Sequence, residues 1–253
     1  MRFFNTAGPV NPEDHYSISP LERLKNYEVE LLIQQKQYFV LHAPRQSGKT
    51  SSLLALMEHL NNGGTYNCVY VNLENAQAGR ENILLTIRSI VAETTRAAHE
   101  VLRDDFPSSI AEMCLQEGGP LSAFSLLLSR WAENSAKPLI LLFDEVDSLV
   151  GDALISLLHQ LRSGYAKRPK YFPLSLVLCG VRDIRDYRIE SSAQKAVITG
   201  GSCFNIKAES LRLGDFDLTE VKKLLSQHEK ETGQKFTEEA IDYLWHNTQG
   251  QPW

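Results

Sequence analysis

The run Ala43-Pro44-Arg45-Gln46-Ser47-Gly48-Lys49-Thr50 follows the apolar stretch Tyr38-Phe39-Val40-Leu41 and precedes Ser51-Ser52-Leu53-Leu54-Ala55-Leu56-Met57. A strand, a tight loop and a helix opening on Gly-Lys-Thr make the context that a phosphate-binding P-loop requires. Loop amides and the helix N-terminus together form a concave anion site. The phosphates are expected to lie against Pro44, Arg45, Gln46, Ser47, Gly48, Lys49, Thr50 and Ser51. Lys49, read as a surface cation, would reach the β- and γ-phosphates, and the Thr50 hydroxyl would sit on Mg²⁺. One position departs from the pattern G-x-x-x-x-G-K-[ST]: residue 43 is Ala, which needs an ordinary backbone conformation where Gly would be free to take a left-handed one.

Working outward, Pro138-Leu139-Ile140-Leu141-Leu142-Phe143-Asp144-Glu145 is a short continuous apolar run ending in two acids. Such a run reads as a central strand of a parallel sheet, buried on both faces. Its C-terminal end is where open α/β sheets bind ligands. Two solvated acids capping a strand would leave the same trace. Downstream of a P-loop the pair looks like a Walker B motif. Asp144 is then expected to hold Mg²⁺ through water, and Glu145 to orient and polarise an attacking water.

The 253 residues allow one large domain or one and a fraction, with enough chain to bury a sizeable core. A net charge of −5 supplies no overall basic field toward nucleic acid or anionic membrane. Cys68, Cys114, Cys179 and Cys203 are scattered without a C-x-x-C pair and read as reduced thiols. No apolar run approaches a membrane span, and Met1-Arg2-Phe3-Phe4-Asn5 has no apolar leader, so a cytoplasmic protein is expected.

Residues 1–20, with Gly8-Pro9, Asn11-Pro12 and Ser19-Pro20, predict an extended arm. Helical spacing is expected over 21–36, 48–60, 80–103, 121–134, 152–162, 217–230 and 237–247. Strands are expected at 38–42, 68–73, 139–143 and 174–181, with a weak fifth near Phe204-Asn205-Ile206. Strands alternating with helices predict an α/β fold with a doubly wound parallel sheet. Gln249-Gly250-Gln251-Pro252-Trp253 is a turn with nothing after it to bury the tryptophan, so a further C-terminal region is expected beyond it.

Phe143-Asp144-Glu145, the stretch Leu178-Cys179-Gly180-Val181-Arg182-Asp183 and the terminal Gly250-Gln251-Pro252 together resemble prokaryotic AAA-like ATPases of the broad AAA+/STAND group, which includes archaeal-type ATPases. The resemblance covers nearly the whole chain. It implies a P-loop NTPase of the ASCE type with a small helical lid. The expected division is an arm and helix over 1–36 lining the nucleotide site, an ATPase core over 37–210, and the start of a lid over 211–253. It also implies that Arg182 or Asp183 contacts the γ-phosphate or the attacking water. Tyr16 and groups near Ile18 would line the adenine pocket, with Gly250 and Pro252 packing on the adenine or ribose. Arg162 or Arg168 could act on a neighbour's γ-phosphate in an oligomer, although cations favoured near a helix C-terminus by its dipole are the preferred reading of both. His42 lacks any partner at metal-ligand spacing and reads as a strand residue.

The leading expectation is an ATPase that hydrolyses Mg-ATP, with Glu145, Lys49 and Arg182 in the catalytic set, and drives a conformational step in an attached or partner effector. One alternative is a slow nucleotide switch in signalling or defence. Another is a DNA-handling motor or loader, for which Lys167-Arg168-Lys170 and Arg182-Arg185-Arg188 leave room despite the acidic balance. Homo-oligomerisation is compatible with all three.

Overall fold

Period-two alternation in the strands decides how the helices are distributed. The computed structural model describes residues 1–183, 188–191, 196–199 and 204–252. Its strands are β1 (Tyr38–His42), β2 (Asn67–Asn72), β3 (Leu139–Asp144), β4 (Ser175–Gly180), β5 (Arg188–Ser191), β6 (Ala196–Thr199) and β7 (Lys207–Arg212). Five of them form a wholly parallel sheet in the order β2-β3-β4-β1-β7. Strand β3 lies between β2 and β4 and is buried at every residue, which is why its sequence is an unbroken apolar run. The β1 residues Tyr38 and Val40 point to one face, where α4 (Ile83–Leu102), α5 (Phe106–Asn134) and α6 (Gly151–Ser163) pack. Phe39 and Leu41 point to the other, against α1 (Pro20–Lys25), α2 (Val29–Gln34) and α3 (Lys49–Asn62). Helices on both faces of a parallel sheet make the expected doubly wound α/β P-loop fold. Among the described residues no helix is long and apolar enough to cross a membrane.

A smaller helical pair follows β7. Helix α7 (Leu218–Thr232) opens on a capping box in which Asp217 and Glu220 each accept the other's backbone N–H. Helix α8 (Glu238–Thr248) packs on it through Val221, Leu225 and Ile241, a cluster separate from the two sheet cores.

The elements differ from the sequence expectation in four places. The helix expected over 21–36 is two short ones, separated where Glu28 takes a left-handed φ of 49°. The helix expected at 121–134 is the second half of α5, whose first half begins at Phe106; the break is Gly119 (φ 55°), followed by Pro120. The fifth strand of the sheet begins at Lys207, after the weak signal at Phe204. Phe204 is instead a buried core residue stacked on Tyr38, while β7 is a polar edge strand with one buried residue, Leu211. An antiparallel hairpin, β5–β6, was not anticipated. Cys68, Cys114 and Cys179 are buried free thiols; Cys203 lies outside the described residues, as does Arg185 of the basic cluster.

Candidate functional site

The loop between β1 and α3 turns on residues with positive φ, Gln46 (60°) and Gly48 (87°). Glycine suits position 48 because a left-handed φ strains any side chain; a Cβ there would also lie 2.6 Å from the Arg23 guanidinium, which would have to shift. Ala43 is absent from the positive-φ positions, so an alanine in place of the usual glycine carries no backbone strain. Lys49 departs from its expected exposure. It is 6% exposed, and its Nζ donates to the Ala43 carbonyl at 2.9 Å and the Pro44 carbonyl at 2.8 Å. The ammonium is thus held inside the loop, since a buried cation needs acceptors. Ser47 is also buried, with an Oγ that has no hydrogen-bond partner among the described residues.

Parallel strands bring the second motif to the same edge. Asp144 is fully buried; its Oδ2 accepts from Thr50 Oγ1 at 2.7 Å and from the Tyr70 hydroxyl at 3.0 Å, and its Oδ1 accepts the Glu145 N–H at 2.9 Å. A hydroxyl and a carboxylate paired beside an anion loop are hard oxygen donors of the kind Mg²⁺ takes together with phosphate oxygens. Tyr70 was missed from sequence. Its signal was a tyrosine inside an apolar strand, whose hydroxyl must find a partner when buried. Burial and the Asp144 carboxylate both hold its phenol well above the usual range. Glu145 takes a left-handed φ of 54° at the end of β3 and lines the cavity described below. Burial raises its pKa, Asp144 and Asp147 raise it further, and Lys49 opposes them.

At the end of β4, Gly180 is level with His42, so Arg182 and Asp183 follow the strand beside β1 and β3. Arg182 is exposed and is not among the cavity-lining residues. Asp183 is buried and ion-paired with Lys207 at 2.6 and 2.7 Å. That pair joins the end of β4 to β7, across β1. Asp183→Ala leaves Lys207 buried without this counter-charge and is expected to cost about 3–5 kcal/mol of stability, read as a lowered midpoint in denaturant. Arg168 is likewise engaged: it donates to the Tyr165 and Leu174 carbonyls at 2.7 and 3.2 Å and to that of Lys36, and lies over the Tyr165 and Tyr38 rings. Arg162 is exposed in the last turn of α6, where the helix dipole favours a cation.

The loop, the arm and the helical pair enclose a cavity of about 540 Å³. Arg45, Gln46, Gly48, Lys49, Thr50 and Ser51 line its floor, with Glu145 at one side. Residues 4–10 cross over it, and Val10 N–H donates to Ser51 Oγ at 2.9 Å. Tyr16, Ile18 and Pro252 all line it. Tyr16 does so as part of a junction: its ring packs on Phe4 and His228, and its hydroxyl donates to Glu231 at 3.4 Å. Arg2 bonds Glu231 at 2.5 Å, and Gln227 exchanges two hydrogen bonds with the Ser17 backbone. Arm and α7 are therefore fastened together above the loop. Arg23 of α1 lines the cavity too, a residue no motif singled out.

The family model described as "AAA domain" matches residues 32–187, more than half of the chain and both motifs. The chain belongs to the AAA domain family. No curated protein sequence matches it. Among solved structures, the Walker-type ATPase of Pyrococcus abyssi is similar with a TM-score of 0.61 and 15% identity, over 98% of this chain and 68% of that one. Cdc6p from Pyrobaculum aerophilum is similar with a TM-score of 0.50 and 18% identity, over 87% of this chain and 52% of that one. AMPPCP-bound DnaA from Aquifex aeolicus is similar with a TM-score of 0.50 and 17% identity, over 91% and 57%. At these identities the likeness is one of fold. This AAA domain spans 52% to 68% of the lengths of those three structures.

Proposed function

We propose that this AAA domain hydrolyses ATP to ADP and phosphate, and that the change of nucleotide moves the helical pair α7–α8 against the core. The observation that carries the reading is the Thr50–Asp144 hydrogen bond at 2.7 Å, with Lys49 and Glu145 facing one cavity beside it. Lys49 exchanges loop carbonyls for β- and γ-phosphate oxygens. Thr50 and Asp144 would hold Mg²⁺, which would supply charge neutralisation on the phosphates. Glu145 accepts the proton of an attacking water that it has aligned. Residues 4–10 and Pro252 line that cavity, and their closing over bound nucleotide would exclude water and strengthen each interaction inside it. Arg182 is the proposed γ-phosphate contact. Arg182→Ala is then expected to weaken ATP binding more than ADP binding in paired titrations; equal loss would leave it a general electrostatic role.

A second reading is favoured by the fastened arm. The arm–α7 ties Arg2–Glu231, Arg2–Gln227, Tyr16–Glu231 and Ser17–Gln227 would then open or shift as nucleotide exchanges. Slow exchange suits a switch that holds ADP or ATP and reports its state to an effector. Steady-state turnover with Mg-ATP, measured with and without DNA, separates these. Turnover near one per second supports the hydrolytic motor, turnover slower than one per hour with tight binding supports the switch, and stimulation by DNA supports a DNA-handling role. Failure to bind any nucleotide removes all of them. One of the similar structures is DnaA bound to the nucleotide analogue AMPPCP; for this chain we likewise propose a nucleotide ligand, together with an oligomeric assembly and a cytoplasmic location.

A further inference from the structure

Arg23 projects from α1, a helix assigned no chemistry, and touches both the phosphate loop and the root of the helical pair. Its Nη1 donates to the Ser47 carbonyl at 2.6 Å and its Nη2 to the Gly214 carbonyl at 2.5 Å. Its guanidinium lies 4.7 Å from the centre of the Phe216 ring. Each of these three contact partners is uncharged: Glu220 and Asp215 act on the cation electrostatically, while its hydrogen bonds are made to backbone carbonyls.

The two carbonyls have different owners. Ser47 belongs to the phosphate loop, and its carbonyl shares a peptide plane with the Gly48 N–H. In a planar trans peptide those groups point to opposite sides, so fixing one fixes the other. Arg23 therefore sets the direction of an amide on which the anion site is built, and polarises it. Gly214 belongs to the segment that leads from β7 into α7. Tyr27, at the end of the α1 segment, holds the same residue from its other side: its hydroxyl accepts the Gly214 N–H at 3.0 Å and donates to the Arg212 carbonyl at 2.6 Å. Phe216, under the guanidinium, donates its N–H to the Gly250 carbonyl at 2.9 Å. At Gly250 a Cβ would fall 1.9 Å from the Phe216 carbonyl oxygen, so this joint has no slack. One line of contacts thus runs from the Ser47–Gly48 peptide through Arg23 to Gly214 and Phe216, and on to the turn that carries Pro252.

We propose that Arg23 is a positioning residue that couples phosphate occupancy of the loop to the placement of α7–α8. The proposal rests on the nucleotide reading of the cavity. A phosphate on the Gly48 N–H draws electron density through the peptide, and the Ser47 carbonyl and its bond to Arg23 respond. The same guanidinium then holds the root of the helical pair in register with the occupied loop. By linkage, whatever fixes α7–α8 tightens the loop's hold on phosphate by the same factor.

The test uses the full chain with a fluorescent ADP analogue for affinity and amide hydrogen exchange over residues 218–232 for the helical pair. In the wild type, ADP is expected to slow exchange over 218–232. Arg23→Ala is expected to bind ADP about tenfold more weakly, the effect of losing one charge-assisted hydrogen bond, and to lose the ADP-dependent protection. Arg23→Lys keeps the charge but presents a single ammonium, which cannot fork across two carbonyls. It should recover part of the affinity without the protection, and it serves as the variant of record if Arg23→Ala does not fold. Protection of 218–232 by ADP in Arg23→Lys equal to that of the wild type overturns the coupling. A wild type that binds no ADP overturns the reading of the cavity itself, and the coupling with it.

Discussion

Lys49→Ala is expected to abolish measurable ATP hydrolysis and to weaken ATP binding by at least about 100-fold. The side chain is 6% exposed and sits inside the loop with two backbone carbonyls for partners. Replacing it removes a cation positioned to follow the transferring phosphoryl group, where preorganised charge supplies most of the catalysis. It also leaves the Ala43 and Pro44 carbonyls without their donor, so a fall in melting temperature should accompany the lost activity. Lys49→Met, which fills the space without the charge, separates the two effects. Its folding should be closer to wild type and its turnover as low as that of alanine. Turnover at the wild-type rate in a folded Lys49→Met would remove the central assignment.

Glu145→Gln is expected to slow hydrolysis by roughly 10²–10⁴-fold while retaining Mg-ATP, because it keeps the shape and loses the base. The same substitution should raise stability at neutral pH. Burial first, then Asp144 and Asp147, push the Glu145 pKa upward, so the folded chain binds this proton more tightly than the unfolded chain does. The sign follows from linkage: below the ordinary carboxylate range the group is protonated in both states and costs nothing. As pH rises from that range through the raised folded pKa, the folded state loses stability relative to the unfolded one. Glutamine removes that loss. Thermal melts of the two proteins should agree at about pH 3–4 and diverge toward pH 7, with the variant higher. A variant less stable than wild type at pH 7 would mean that the carboxylate is held by favourable contacts and is not the strained group its surroundings describe. The left-handed backbone is common to both proteins, so it cancels in the comparison.

Much of the site was legible in two short segments. Gly48-Lys49-Thr50 and Asp144-Glu145 are each local: a tight turn with a positive φ, and a fully buried strand that ends in acids. Steric permission at Gly48 and the apolar run of β3 are properties of a few consecutive residues, so the sequence carries them openly. Tyr16, Ile18 and Pro252, named through the family resemblance, line the cavity, and Tyr16 stands in a ring cluster with Phe4 and His228 that no spacing could predict.

Composition and period by themselves determined the parallel α/β class, the phosphate loop and the acid pair, because backbone geometry and two-sided burial write themselves into neighbouring residues. Only the tertiary structure decided the charges and ties around them. It buried Lys49 against loop carbonyls, gave Asp183 to Lys207 as a pair, put the Tyr70 hydroxyl on Asp144, and set Arg23 between Ser47 and Gly214. The last three join residues from separate elements, and the Lys49 acceptors lie five and six residues back in its own loop. Whether a polar side chain waits in solvent or is spent on a partner depends on which groups folding leaves without water, and that is a property of packing rather than of residue type.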